Sequence, residues 1–345
     1  MEEKVAELRT MLRDIEDLQR AEATLAWDQA TYMPNGGAVS RGRQRATLSR
    51  LAHEKSIDPI LGKLLDSLEA NATSLPYESN EGSLFRVARR DFERALKVPS
   101  EYIARATASA AQSYEAWKRA RPANDFASML PFLENAIDLG REYAGFFAPY
   151  EHVADPLIDE ADEGMTAASV RRLFAGLRTE LVPIVRAVTE YSKVDDRCLK
   201  GHFCESAQLT FGESVIRRIG YDFERGRLDK TVHPFCTRLS AGDVRITTRV
   251  FENDLTQALF SLVCTRLGMR FTIKASILRW KGCRLDGVRR SACMRASLAY
   301  GKTWSAAAVD FGSFSTRCCR QPFPGSLTEC PSRRSTALST KWSAR

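Results

Sequence analysis

Apolar residues recur at steps of three and four from the start of the chain, with Val5, Leu8, Leu12, Ile15 and Leu18 falling on one face of a helix. An extended strand would scatter the five side chains over both faces, so the chain must begin with an amphipathic helix. The turn cluster Met33-Pro34-Asn35-Gly36-Gly37 stops it, and the basic segment Arg41 to Arg50 opens the next. Helices are further expected over 61–69, 83–96, 101–119 and 126–147, with Pro76, Pro99 and Pro122 in the connections. After Gly164, Thr166 is an N-cap, and Val170, Leu173, Phe174, Leu177 and Leu181 form a face running toward Glu190. Against this background residues 243–250 alternate strictly: Val244, Ile246 and Val250 lie on one face, Asp243, Arg245, Thr247 and Arg249 on the other. The expected fold is mainly α with a small β element near 243–250. Just upstream, the ring of Pro234 pushes His233 out of the helical region, and just downstream Asn253 or Asp254 is expected to cap a helix carrying Leu255, Leu259 and Phe260.

The formal charge of +8 suggests a nucleic-acid binder until the chain is divided. Residues 262–345 hold 16 Lys and Arg against 3 Asp and Glu, whereas residues 1–261 hold 35 against 40. Six of the nine cysteines also fall after residue 261. A disulfide framework there needs an oxidising compartment, and Met1-Glu2-Glu3 begins an acidic amphipathic stretch rather than a secretory leader, so the expected compartment is the cytoplasm. No run approaches the ~18 apolar residues of a membrane span. Two parts are therefore expected: a folding body, 1–261, and a tail, 262–345, without native structure and open to proteolysis back to about residue 260.

The signatures of the body are Trp27-Asp28-Gln29, Tyr32-Met33-Pro34 with Gly36-Gly37, Tyr221-Asp222-Phe223-Glu224, Gly226-Arg227-Leu228-Asp229, His233-Pro234-Phe235 and the strand from Asp243 to Thr248. Over residues 1 to about 261 they resemble the carboxypeptidase Taq family of zinc metallocarboxypeptidases. The resemblance implies a large helical metallopeptidase-like domain that releases C-terminal amino acids from peptides, and homodimers. The family's H-P-F and D-x-R-x-T signatures are intact, but its H-E-x-x-H motif, its H-E-S segment and a later acidic motif do not follow in the printed sequence.

The genetic code accounts for the gap. Re-reading each codon from its third base lets the first two bases of the next residue complete a new codon, so the printed residues restrict the hidden ones. With TGC for Cys264, ACG for Thr265, AGG for Arg266, CTG for Leu267 and GGC for Gly268, residues 264–276 permit His-Glu-Ala-Gly-His-Ala-Leu-Tyr-Asp-Gln-Gly-Ile. Residues 292–305 permit, in the same offset, Val-His-Glu-Ser-Gln-Ser-Arg-Leu-Trp-Glu-Asn-Leu-Val. Each shifted position admits about four residue types, so two such matches in one offset are far more specific than a lone short motif. A frameshift near Leu262 or Val263 follows. Out-of-frame reading also explains the basic, cysteine-rich tail.

In the shifted frame the two histidines of H-E-x-x-H sit at i and i+4 on one helix face, where they can share zinc, with the intervening glutamate as general base. By resemblance the glutamate of H-E-S is the third ligand. The printed chain keeps neither segment, so no catalytic or metal-ligating residue is assigned to it and the chain as written is expected to be inactive. A carboxypeptidase must also hold a free C-terminal carboxylate, and an Arg guanidinium can do so with two parallel hydrogen bonds. Arg245 is the candidate for this role, with Asp243 and Thr247 orienting it and His233 near the substrate groove by resemblance.

Each residue also has a purely structural role open to it. Arg245 can pair with Asp243 or Glu252 on a solvated face, and His233 can be a satisfied structural histidine. Cys198, His202 and Cys204 are too few for a zinc site, and His53-Glu54 lacks a second histidine four residues on. The tail shows no aromatic interleaving that would argue for specific nucleic-acid binding. The alternative to the peptidase is a noncatalytic helical relic or a binding or dimerisation module. Loss of a C-terminal half would expose part of the core, and low solubility is expected.

Overall fold

The computed structural model describes residues 2–191 apart from 78, and 201–254 apart from 219. The break near Leu262, the tail 262–345 and the helix expected from Leu255 lie outside the described residues. Two compact units are present, one running to Tyr191 and one containing 201–254.

The first unit is all helical. Its helices are α1 (Glu2–Thr31), α2 (Ala38–Ser56), α3 (Pro59–Ser74), α4 (Asn80–Lys97), α5 (Ser100–Ala123), α6 (Phe126–Gly145), α7 (Asp155–Ala161) and α8 (Ala167–Glu190). Glu2 and Glu3 stand in the first turn of α1, where carboxylates complement the helix dipole. The expected stripe of α1 is its buried face: Val5, Leu8, Leu12 and Ile15 meet Leu61, Leu64, Leu65 and Leu68 of α3 and Leu84, Phe85, Ala88 and Phe92 of α4 in one hydrophobic cluster. Beside it α2 and α5 pack together through small side chains, Gly42 and Ala52 on one helix and Ala111, Ala116 and Ala120 on the other.

The connections follow turn and cap chemistry. Ser79 accepts from Gly82 N to cap α4, and Asp125 accepts from Ser128 N to cap α6. Thr166 and Ser169 form a reciprocal capping box at the start of α8, while Asp155 of α7 accepts from Ala167 N at 2.8 Å. Pro122 does not lie in a connection, as the sequence suggests, but inside the last turn of α5. So close to the end its ring removes only one ladder bond, and Asn124, left-handed at φ 56°, closes the helix through bonds to Ala120 O and Arg121 O.

α8 forms where its periodicity says, but the face is not covered. Leu173, Phe174, Leu177, Leu181, Ile184 and Val188 are 47–66% exposed. Leu130, Leu133 and Ile137 of α6 are exposed as well.

The second unit holds α9 (Glu205–Arg218) and three strands, β1 (Leu228–Lys230), β2 (Cys236–Ser240) and β3 (Asp243–Thr248), in the order β1-β3-β2. The strand expected over 243–250 is the centre of a sheet, parallel to β1 (Leu228 opposite Ile246) and antiparallel to β2 (Cys236 opposite Ile246). It ends at Thr248 rather than Val250, because β1 runs out opposite Thr248. Its neighbours carry no clear strand signal in the sequence, because β1 has three residues and β2 is irregular between Arg238 and Ser240. Ile216 of α9, Tyr221, Val244 and Ile246 are the core of this unit, with Phe223, Leu228 and Cys236 packed against it.

Candidate functional site

The candidate residues sit on and beside β3. Strand periodicity sends Val244 and Ile246 into the core and leaves Asp243, Arg245 and Thr247 on the other face. Asp243 and Arg245, two apart and on one face, form a forked ion pair: Arg245 Nε donates to Asp243 Oδ1 at 3.0 Å and Arg245 Nη2 to Oδ2 at 2.8 Å. The pair is part-buried, the Arg245 side chain more deeply than that of Asp243.

Thr247 is fully buried and has a different task. Its hydroxyl accepts from Phe235 N at 2.7 Å and donates to Phe235 O at 2.9 Å, while Thr247 N also donates to Phe235 O at 2.9 Å. It therefore clasps the third residue of His233-Pro234-Phe235 onto the central strand. His233 itself is exposed, two residues before the clasp. Asp243 and Arg245 are brought together directly, and Thr247 holds the backbone of the segment that carries His233.

A second acid–base pair on the same face is not among the sequence candidates. Asp229 of β1 lies opposite Thr247, is 4% exposed, and accepts from Arg227 Nε at 2.8 Å and Nη2 at 2.7 Å. The signal is in the sequence: Arg227-x-Asp229 and Asp243-x-Arg245 both place opposite charges two residues apart, the spacing that shares a strand face. Parallel pairing sets the two side by side.

The sheet is locked from behind. Tyr221 Oη reaches Val244 O at 2.5 Å and Arg227 O at 3.1 Å, bridging the central strand and the start of β1. Gly226 passes so close that a Cβ there would collide with Val244 O and the Tyr221 hydroxyl. Tyr221, Gly226 and Arg227 are thus spaced by one contact.

In the first unit the Trp27-Asp28-Gln29 signature is also a polar junction. Asp28 pairs with Arg41 at 2.6 Å, Gln29 Oε1 accepts from Arg45 Nη1 at 2.9 Å, and Gln29 Nε2 donates to Ala111 O at 3.2 Å. Arg45 donates further to Glu22 at 2.7 Å. The basic segment of α2 thereby partners the buried Gln29 and two part-buried carboxylates of α1.

His53 lines a cleft of about 450 Å³ with Arg90, Arg94 and Tyr143. Its Nε2 faces Ala95 O at 3.1 Å and its Nδ1 faces Ser100 Oγ at 3.0 Å. A carbonyl oxygen only accepts, so Nε2 carries the proton. Burial lowers its pKa from the ordinary 6.5, opposed by the bond to Ala95 and by Glu54 and Glu101.

Among the described residues no group of three His, Cys, Asp or Glu is placed to hold a metal ion. His202 and Cys204 are exposed, and Cys198 lies outside the described residues. Among the described residues, too, no helix is long and apolar enough to cross a membrane.

The Carboxypeptidase Taq (M32) metallopeptidase family model matches residues 7–264, and the chain belongs to that family. It is 33% identical to thermostable carboxypeptidase 1 of Thermus thermophilus over 69% of this chain and 49% of that protein. Against carboxypeptidase 1 of Bacillus subtilis it is 29% identical over 73% of this chain and 50% of that one. The crystal structure of M32 carboxypeptidase from Deinococcus radiodurans R1 superposes with a TM-score of 0.65 at 42% identity, covering 78% of this chain and 54% of that chain. The chain thus spans about half the length of the curated relatives it matches.

Proposed function

We propose that this chain is the substrate-holding half of a cytoplasmic zinc metallocarboxypeptidase whose zinc-bearing half is encoded in a shifted frame beyond Leu262, and that the chain as written releases no C-terminal amino acids. One observation carries the reading: the family match stops at residue 264, where the hidden frame begins to spell His-Glu-Ala-Gly-His, and the H-E-S segment follows in the same offset. The tail 262–345 is then out-of-frame translation.

Within this reading Arg245 receives the peptide's terminal carboxylate. Its guanidinium is oriented by Asp243, and planar donors of that kind match a carboxylate better than an ammonium does. Thr247 acts through Phe235, fixing the segment that carries His233 at the groove. Zinc, when bound by the restored segments, supplies an electrophile for the scissile carbonyl; no residue described here takes part in that step.

The test is to resequence the codons for Phe260 to Gly268 and to express both the printed chain and a frame-restored chain. The printed chain is expected to bind no stoichiometric zinc and to liberate no amino acid from peptide C-termini. The restored chain is expected to bind one zinc ion and to do so. Zinc bound stoichiometrically by the printed chain, or a restored chain that binds none, would overturn the proposal.

A further inference from the structure

The chain has six asparagines, Asn35, Asn71, Asn80, Asn124, Asn135 and Asn253, and of these Asn35 alone is followed by glycine. Asn35 and Gly36 stand in the three-residue 3-10 turn Asn35–Gly37 that joins α1 to α2, and both are exposed. A Cβ built on Gly36 would meet nothing within 4 Å, so no neighbouring atom crowds this peptide. The two residues open a helical run, where backbone N–H groups have no intrahelical acceptor, and the bond of the turn runs from Gly37 N to Pro34 O at 2.9 Å. We infer that Asn35 is a self-modification site: its carboxamide cyclises onto Gly36 N and leaves isoaspartate in the link between α1 and α2.

The reaction is complete with water alone. Gly36 N gives up its proton to solvent and bonds to Asn35 Cγ, the Cγ–Nδ2 bond breaks, ammonia leaves, and a succinimide ring closes. Water then opens the ring at either carbonyl. Opening at Cγ gives an ordinary aspartate, whereas opening at the main-chain carbonyl leaves Gly36 bonded to Cγ, so that the main chain passes through the side-chain carbons and gains a methylene. In both cases an amide is exchanged for a carboxylate. Glycine in the following position matters because ring closure needs backbone freedom that a Cβ restricts. The fold sets the cost of the extra methylene. Asp28 of α1 pairs with Arg41 of α2 at 2.6 Å, Gln29 Oε1 accepts from Arg45 Nη1 at 2.9 Å, and Glu22 accepts from Arg45 Nε at 2.7 Å. All three contacts span the turn, and buried Met33 packs against Gly37 within it. A longer main chain shifts α2 relative to α1 and stretches these contacts. An ordinary aspartate keeps the spacing and places a carboxylate at a helix start, where the dipole favours it.

The experiment stores the full 345-residue chain in warm, mildly alkaline buffer and follows every asparagine by peptide mapping, with enzymatic methylation of isoaspartyl carboxylates as a second readout. Asn35 is expected to convert about tenfold or more faster than any of the other five, and Gly36→Ala to slow it by about the same factor, since alanine restricts the backbone where glycine does not. The space around Gly36 is open, so circular dichroism of Gly36→Ala should report unchanged helix content. A short synthetic peptide carrying Pro34-Asn35-Gly36-Gly37 supplies the rate of an unhindered Asn-Gly bond, and the folded chain should stay within about tenfold of it, as an exposed turn that opens locally at little cost would. A sample enriched in isoaspartate should unfold at lower urea than fresh protein, whereas Asn35→Asp should not. A folded chain that converts far more slowly than the peptide, conversion spread evenly over the other asparagines, a rate that ignores Gly36→Ala, or an isoaspartyl form as stable as Asn35→Asp would overturn the inference. Zinc binding and peptidase activity play no part in these readouts, so the result is independent of the proposed function.

Discussion

Arg245 and Asp243 form the most informative pair of residues in the chain, because their geometry makes the carboxylate-binding idea quantitative. In a frame-restored enzyme Arg245→Lys keeps the charge but loses the planar fork, and its expected effect is a 10- to 100-fold rise in KM with kcat little changed, about 1.4–2.7 kcal/mol of binding. Steady-state kinetics on a peptide and on its C-terminal amide would check this, since the amide should not distinguish the variants. Gly226 gives a stability prediction. Gly226→Ala drives a methyl group into Val244 O and the Tyr221 hydroxyl, and about 1–3 kcal/mol should be lost in thermal or urea unfolding. His53 gives a pH prediction with a definite sign. Its folded pKa lies below the unfolded 6.5, so the unfolded chain binds the proton more tightly. Stability is then fully present above about pH 6.5 and declines as pH falls below it, levelling off once the folded pKa is passed. In His53→Gln that part of the acid sensitivity should vanish from urea titrations run between neutral pH and pH 5. At this scale the sequence is legible wherever a residue's neighbours are two to four positions away: Asp243 with Arg245 is of this kind. Asp229 obeys the same rule but is hidden, since nothing in three residues of β1 marks them as a strand.

Among the elements, α1 shows why some helices can be read completely. Its apolar positions are regular, its cluster partners in α3 and α4 follow within the next hundred residues, and Leu8 is wholly buried where the period places it. Leu8→Ala should cost about 2–5 kcal/mol. The α2–α5 contact is harder to foresee, because small residues carry no hydrophobic signal; their role is to let two backbones approach. Ala111, whose methyl lies 3.8 Å from where a Cβ on Gly42 would stand, is the sensitive point. Ala111→Leu should force the two helices apart and lower stability by about 1–3 kcal/mol, read from the denaturant midpoint. α8 marks the limit of pattern reading. Spacing fixes that a helix forms and which side is apolar, but what covers that side is decided by distant chain, and the six exposed residues are the result. β2 fails for a local reason: its irregularity between Arg238 and Ser240 breaks the alternation that makes β3 conspicuous.

For the whole molecule, the two units account for residues to Tyr191 and for 201–254, and the relatives are about twice as long as the matched stretch. The family is shown by the comparison and is legible in six short signatures, whereas the proposed metal centre rests on the codons alone. A single-base correction near codon 262 should therefore convert a protein with no stoichiometric zinc into one with one zinc per chain, measured by elemental analysis after dialysis. The sheet carries a separate consequence. Its central strand is shielded on both sides, one flank being only three residues long and the other kinked by an irregularity. Strand borders that short and uneven are poor templates for stacking further chains. Material precipitated by gentle heating should accordingly keep a helical infrared spectrum and leave thioflavin dark, forming amorphous clumps rather than fibres.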